Sequence, residues 1–203
     1  MKIVWRIQHH DPIAMAVCWL VISSWIMFVG VFLARQKPPE QKETRRDKRA
    51  TLGIVLQAVG YALVWAIQRP MFSPIVSMSL ASEILLAIIT VAIAALSVWL
   101  VMMAVSALGK QWAYGARLVE GHKLITEGPY RWVRNPIYTG MFGMLLATGL
   151  AVSHWIGLLP AIGVFLIGTM IRIRSEEKLL HEAFGQEFEK YTRNVAAMLP
   201  GIY

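Results

Sequence analysis

The sequence predicts an all-α integral membrane protein with five transmembrane helices, a C-terminal helical hairpin and an amphipathic cytoplasmic tail helix. Three observations lead there. Hydrophobic residues make up 57% of the 203 residues against 16% charged, and the mean hydropathy is +0.53, a balance that points to a polytopic membrane protein. Apolar runs long enough to cross a bilayer alternate with short polar segments. Lys and Arg are also distributed unequally: 17 fall in alternate segments on one side of a five-span topology and 3 on the other. The positive-inside bias puts the amino end outside, and the central stretch and carboxyl end in the cytoplasm.

Residues 1–12 form a short polar lead in which adjacent His9 and His10 read as solvated headgroup-level side chains rather than a metal site. Residues 13–34 form the first span, about 33 Å long as a helix. Residues 35–50 carry seven Lys or Arg, three acids and Pro38-Pro39, and read as a solvated loop able to touch anionic lipid. The second span, residues 51–68, ends at Arg69-Pro70. Gln57 inside it requires a partner on a neighbouring helix, because an unpaired amide in lipid is costly. A short turn with Pro74 follows. Ser82 as N-cap and Glu83 beside it open the third span, which runs to about Leu108.

Residues 137–152 and 155–171 are two shorter apolar blocks joined by Ser153-His154, which suits a tight hairpin. Thr139, Gly143, Ala147 and Ala151 recur every four residues and permit close backbone approach. In residues 172–195, Leu180, Phe184, Phe188, Tyr191 and Val195 recur at three or four, with charges on the other face. That is a surface amphipathic helix with a weak point at Gly185.

Residues 1–107 thus make an N-terminal three-helix membrane region, and residues 108–203 a region that concentrates the chemistry. Several classes fall away. The net charge of +8 is explained by topology, which leaves no case for nucleic acid. The single Cys18 excludes an intramolecular disulfide and a cysteine zinc site, and no metal is expected. No cleavable signal peptide and no carboxyl-terminal prenylation box is expected. No protein partner is inferable. Common soluble nucleotide and hydrolase fingerprints are absent, so any cofactor site is built another way.

The densest run of binding-type residues is 120–140. Gly128-Pro129 and Asn135-Pro136 break it, and Pro136 suits the first turn of a new helix. It gathers His122, Tyr130, Arg131, Trp132, Arg134, Asn135 and Tyr138. Such residues also suit a membrane-surface connector with an aromatic belt. Arg172 and Glu176, four apart where the last span ends, share a helix face. They read either as a membrane-exit anchor or as a working pair at headgroup depth.

Residues 122–140, HKLITEGPYRWVRNPIYTG, resemble the isoprenylcysteine carboxyl methyltransferase family, in which His-x-Leu-Val-x-x-Gly-x-Tyr runs into Arg-His-Pro-x-Tyr-x-Gly. Residues 172–195 resemble its Arg-x-x-x-Glu-Glu and Phe-Gly-x-x-Tyr-x-x-Tyr ending, and residues 108–112 its preceding turn. The likeness covers about residues 108–200, and the superfamily includes phospholipid N-methyltransferases. It implies S-adenosyl-L-methionine as cofactor and a lipid-like or prenylated substrate entering from the membrane. By that resemblance His122, Leu124, Ile125, Gly128, Tyr130, Arg134, Asn135, Pro136 and Tyr138 bind the cofactor, and Arg172 and Glu176 are catalytic. Asn135 stands where the family has His; an amide hydrogen-bonds but does not titrate there.

Methyl transfer from a sulfonium is an in-line displacement, governed by positioning and desolvation. A carboxylate acceptor needs a cation to hold it, such as Arg172; an amine acceptor needs a base, such as Glu176. The expected function is methylation of a lipophilic or prenylated carboxylate or a related small lipid. The alternatives are a phospholipid N-methyltransferase, an NADPH-dependent sterol-reductase-like enzyme, which shares a related carboxyl-terminal half, and a non-enzymatic membrane protein.

Overall fold

The computed structural model describes residues 11–34, 43–47, 49–70, 73, 75, 79–112, 117–119 and 121–198. His9, His10, Pro74, most of the charged loop at 35–50 and the carboxyl end at 199–203 lie outside them. Among the described residues, four helices are long and apolar enough to cross a membrane: α1 (Pro12–Leu33), α2 (Arg49–Ala66), α3 (Leu80–Leu108) and α5 (Trp155–Phe184). The apolar helix α4 (Pro136–Val152) is shorter, at 17 residues, and α6 (Gln186–Asn194) closes the fold.

Local chemistry sets the ends. Asp11 accepts the Ile13 N–H at 2.9 Å, with Pro12 in the first turn of α1. The cap of α3 is Ser79, one turn before the expected Ser82, whose own N–H donates to Ser79 Oγ at 3.3 Å. The tail differs more from expectation. Residues 172–184 are no separate surface helix but the continuation of α5, which runs through Pro160 for 30 residues. The chain turns only at Gly185, where φ is +48, a conformation glycine adopts without steric cost.

The helical class is as expected, with one short ribbon beside the helices among the described residues. Within the loop expected to be solvated, β1 (Glu43–Arg46) pairs antiparallel with β2 (Arg117–Val119), Glu43 opposite Val119 and Arg46 opposite Arg117. Leu118 anchors the ribbon by packing with Ala50 and Leu179. Pairing satisfies backbone groups on two polar segments that have no helix to do so.

Although Ser153 and His154 join α4 to α5, each helix has another main partner: α5 lies along α2, and α4 along α3, with α1 against α3. The small-residue row of α4 accordingly faces α3. A Cβ at Gly143 would strike Ser97 Oγ, while Ala147 and Ala151 join the apolar core with Val21 of α1 and Val98 of α3. Between α2 and α5 the backbones nearly touch, since a Cβ at Gly168 would lie 2.8 Å from the Gly53 carbonyl oxygen. Gln57 has the partner its burial demands: Nε2 donates to Thr169 Oγ1 on α5 at 2.8 Å.

One end of this bundle is closed by Arg69. Its guanidinium donates to the carbonyls of Leu150 (2.8 Å), Ala151 (2.7 Å) and Ser153 (2.7 Å) at the C-terminus of α4, and to Ser73 (2.7 Å). A cation there meets both orphan carbonyls and the negative end of the helix dipole. Arg69→Met is expected to lower unfolding stability by about 2 kcal/mol, the worth of charged hydrogen bonds left unmade. A thermal or denaturant melt of the detergent-solubilised protein measures it.

Candidate active site

At the opposite end, where α1 and α3 finish and α4 begins, lies a cavity of about 260 Å³. The two prolines of the central stretch shape it. Gly128–Arg131 is a single 3-10 turn with Pro129 in its first turn, and Pro136 starts α4. Between them the chain reverses, so that Tyr130 and Tyr138 both face inward and are buried. The Gln111 side chain holds the start of the loop, accepting the Lys123 N–H at 2.5 Å and donating to the Lys123 carbonyl at 3.2 Å.

Eight of the nine residues singled out for a cofactor line this cavity: His122, Leu124, Ile125, Tyr130, Arg134, Asn135, Pro136 and Tyr138. Gly128 does not. It is exposed, and its φ of +59 gives it a place in the turn instead. Arg172 and Glu176 enter from α5. Arg172 Nη2 stands 3.8 Å from Glu176 Oε1, and its Cζ lies 4.8 Å over the Tyr138 ring. The Tyr138 hydroxyl donates to Glu176 Oε1. A cation, a carboxylate and a phenol thus converge on one wall.

The motif residues Arg134 and Asn135 do a further job. Arg134 Nε pairs with Glu177 at 2.9 Å, and its Nη1 donates to the carbonyls of Thr192, at 3.1 Å, and Val195. Asn135 Nδ2 donates to the Ala197 carbonyl at 3.0 Å, and Thr139 Oγ1 to that of Met198 at 2.7 Å. The segment after α6 is thereby strapped to the first turn of α4. Asn135 is one of the straps.

Other lining residues had no motif to mark them: Phe32 of α1, Leu118 of β2, Met141 of α4 and Leu179 of α5. Leu180, Phe188 and Tyr191 did have a signal, the apolar spacing of the tail, and that face turns onto the cavity. The Tyr191 hydroxyl donates to the Tyr130 carbonyl at 2.5 Å. Burial pushes the Tyr130 and Tyr191 hydroxyls up from their ordinary values, so both remain neutral.

His122 Nδ1 is buried and has no hydrogen-bond partner. Its ring tilts 6.3 Å from that of Phe184, and burial holds the imidazole below its usual pKa. An orphaned polar atom beside apolar walls and a carboxylate fits a ligand with a flat heteroaromatic part and a charged part.

A family model described as phospholipid methyltransferase matches residues 85–187, which include His122, Tyr138, Arg172 and Glu176. The chain belongs to the phospholipid methyltransferase family. Curated relatives of this family member agree with the resemblance seen in its sequence. One is the protein-S-isoprenylcysteine O-methyltransferase of Saccharomyces cerevisiae, 36% identical over 81 residues, which are 40% of this chain and 34% of that protein. Another is a probable protein-S-isoprenylcysteine O-methyltransferase of Oryza sativa subsp. indica, 31% identical over 102 residues, 49% of this chain and 53% of that one. The methanethiol S-methyltransferase of Pseudomonas deceptionensis is 36% identical over 74 residues, 36% of this chain and 27% of that protein. The chain spans about half or less of the length of these relatives.

The His122 environment has a measurable consequence. Its folded pKa lies below the unfolded value of about 6.5, so acid favours the unfolded chain, which binds the proton more readily. Stability contributed by neutral His122 is full above pH about 6.5 and falls as pH drops through that value towards the folded pKa. Thermal melts between neutral and mildly acidic pH should show a steeper loss for the native protein than for His122→Asn.

Proposed function

We propose that the protein is a multi-pass membrane methyltransferase that takes its methyl group from S-adenosyl-L-methionine. Its acceptor is a lipophilic or prenylated carboxylate, or a related small lipid, that arrives through the bilayer. All five apolar helices span, with the cavity and the carboxyl end on the cytoplasmic side. The observation that carries this reading is the convergence of Arg172, Glu176 and Tyr138 on one wall of a cavity whose remaining lining is largely apolar. Support for the orientation comes from charge. The cavity lies at the end of the bundle where α1 finishes and the tail closes over it, and Lys and Arg concentrate in the tail and in the sequence that follows α1.

In this reading His122, Leu124, Ile125, Tyr130, Asn135, Pro136 and Tyr138 hold the cofactor, which supplies an activated methyl group on a sulfonium. The aromatic faces of Tyr130 and Tyr138 suit a cationic ligand. Arg172 binds an acceptor carboxylate by charge-assisted hydrogen bonds and keeps it aimed. The Tyr138 hydroxyl fixes the Glu176 carboxylate. For an amine acceptor the same carboxylate takes the proton. Residues 108–203 form the cofactor-binding and catalytic region, and residues 1–107 supply bilayer walls, Phe32 among them.

Calorimetric titration with S-adenosylhomocysteine and with NADPH tests the cofactor assignment. Binding of the former, weakened in Tyr138→Ala, is the expected result; binding of NADPH alone would replace the reading with a reductase. Arg172→Ala should depress kcat far more than cofactor affinity. Glu176→Gln should cost roughly 10²–10⁴ in rate with an amine acceptor and distinctly less with a carboxylate.

A further inference from the structure

Gln57 sits on α2, outside the residues matched by the family model and outside the cavity lining. It is 2% exposed. Its Oε1 accepts a hydrogen bond from Arg172 Nη1 at 2.9 Å, and its Nε2 donates to Thr169 Oγ1 at 2.8 Å. The direction of the amide is fixed by chemistry, because a guanidinium only donates and so must meet the oxygen. Two glycines bring the pair together. Gly53 is four residues before Gln57, and Gly168 four before Arg172, so each glycine lies one turn from its polar partner on the same helix face. A Cβ on Gly53 would lie 2.6 Å from the Gly168 carbonyl oxygen and would strike Arg172 Cγ.

We propose that Gln57 is the positioning residue of the site: a neutral acceptor that orients the Arg172 guanidinium from behind without cancelling its charge. The inference rests on the reading of Arg172 as the acceptor-binding cation. Its physical basis is the choice of group. A hydrogen bond restricts rotation of the guanidinium and aims its remaining N–H groups. An amide does this with no net charge, whereas a carboxylate at the same 2.9 Å would add a second anion to the one Glu176 provides. Thr169 holds the amide plane in turn. Arg172 is thereby clamped between α2 and the Tyr138 ring of α4, so a helix remote in sequence from the motifs sets the geometry of the wall.

Two readouts on Gln57→Met and Gln57→Glu test this in the full-length protein in lipid nanodiscs. The first needs no turnover. The ¹⁵N guanidinium signals of Arg172, assigned by their loss in Arg172→Lys, should show restricted rotation in the native protein and in Gln57→Glu, and distinctly faster rotation in Gln57→Met. The second uses S-adenosylmethionine with N-acetyl-S-farnesylcysteine as a carboxylate probe. Gln57→Met should lower kcat by about 10–100-fold, as expected for a lost hydrogen bond to a charged group, while cofactor Kd stays within about twofold. Gln57→Glu, with the guanidinium still ordered, should raise the probe's KM because the added charge opposes its carboxylate.

Unchanged guanidinium rotation in Gln57→Met overturns the proposal, as does a loss of thermal stability with kcat per folded molecule unaltered. If the native protein turns over no acceptor, the function reading fails by itself, and the rotation measurement still decides whether Gln57 orients Arg172.

Discussion

Everything at the cavity end depends on a guanidinium held inside an apolar bundle. Arg172 is 8% exposed, and a cation at that depth persists only where its donors are met and its charge is answered. Gln57, Glu176 and the face of Tyr138 do this from three helices. Gln57 could not reach it if α2 and α5 stood at an ordinary helix separation of about 8–10 Å with side chains between them. The Gly53–Gly168 contact removes those side chains. Backbone proximity, an energetic matter of packing in lipid, therefore also decides where a charge is held.

The strapping of the tail closes the same cavity from the side of α6. Arg134, Asn135 and Thr139 donate to carbonyls of residues 192–198, groups left without helix partners once α6 ends at Asn194. The straps draw Phe188 and Tyr191 over the cavity. Asn135 suits this role, since an amide N–H donates a hydrogen bond and stays neutral at any pH.

At the other end of α4, Arg69 binds three carbonyls of its last turn region. Helix α4 is thus fixed at both ends, by a cation at its C-terminus and by the tail straps at its N-terminus. Tyr138, in its first turn, inherits that rigidity. The aromatic wall under Arg172 is accordingly set by contacts some twenty-five ångströms apart along α4, the length of a 17-residue helix.

How much of this the sequence held depends on the range of the interaction. Apolar run length marked the helices, because the thickness of a bilayer fixes how many residues must be apolar. The two proline breaks and the crowd of polar side chains at 122–138 marked the cavity, because a turn forced within seventeen residues keeps its side chains close wherever the chain goes. Spacing also marked Leu180 on α5 and Phe188 and Tyr191 on α6 as inward-facing, though the turn at Gly185 is what brings the two sets onto one cavity. Local pattern was silent elsewhere. The end of an apolar block is no helix stop, so α5 continued past Arg172 until Gly185. The four-residue strand β1 has no alternation to read and exists because Leu118 across from it finds Ala50 and Leu179. Gln57 announced that it needed a partner; that the partner is Arg172, 115 positions away, was decided only when two glycines let α2 and α5 touch, because no periodicity within a helix encodes which helix will lie against it.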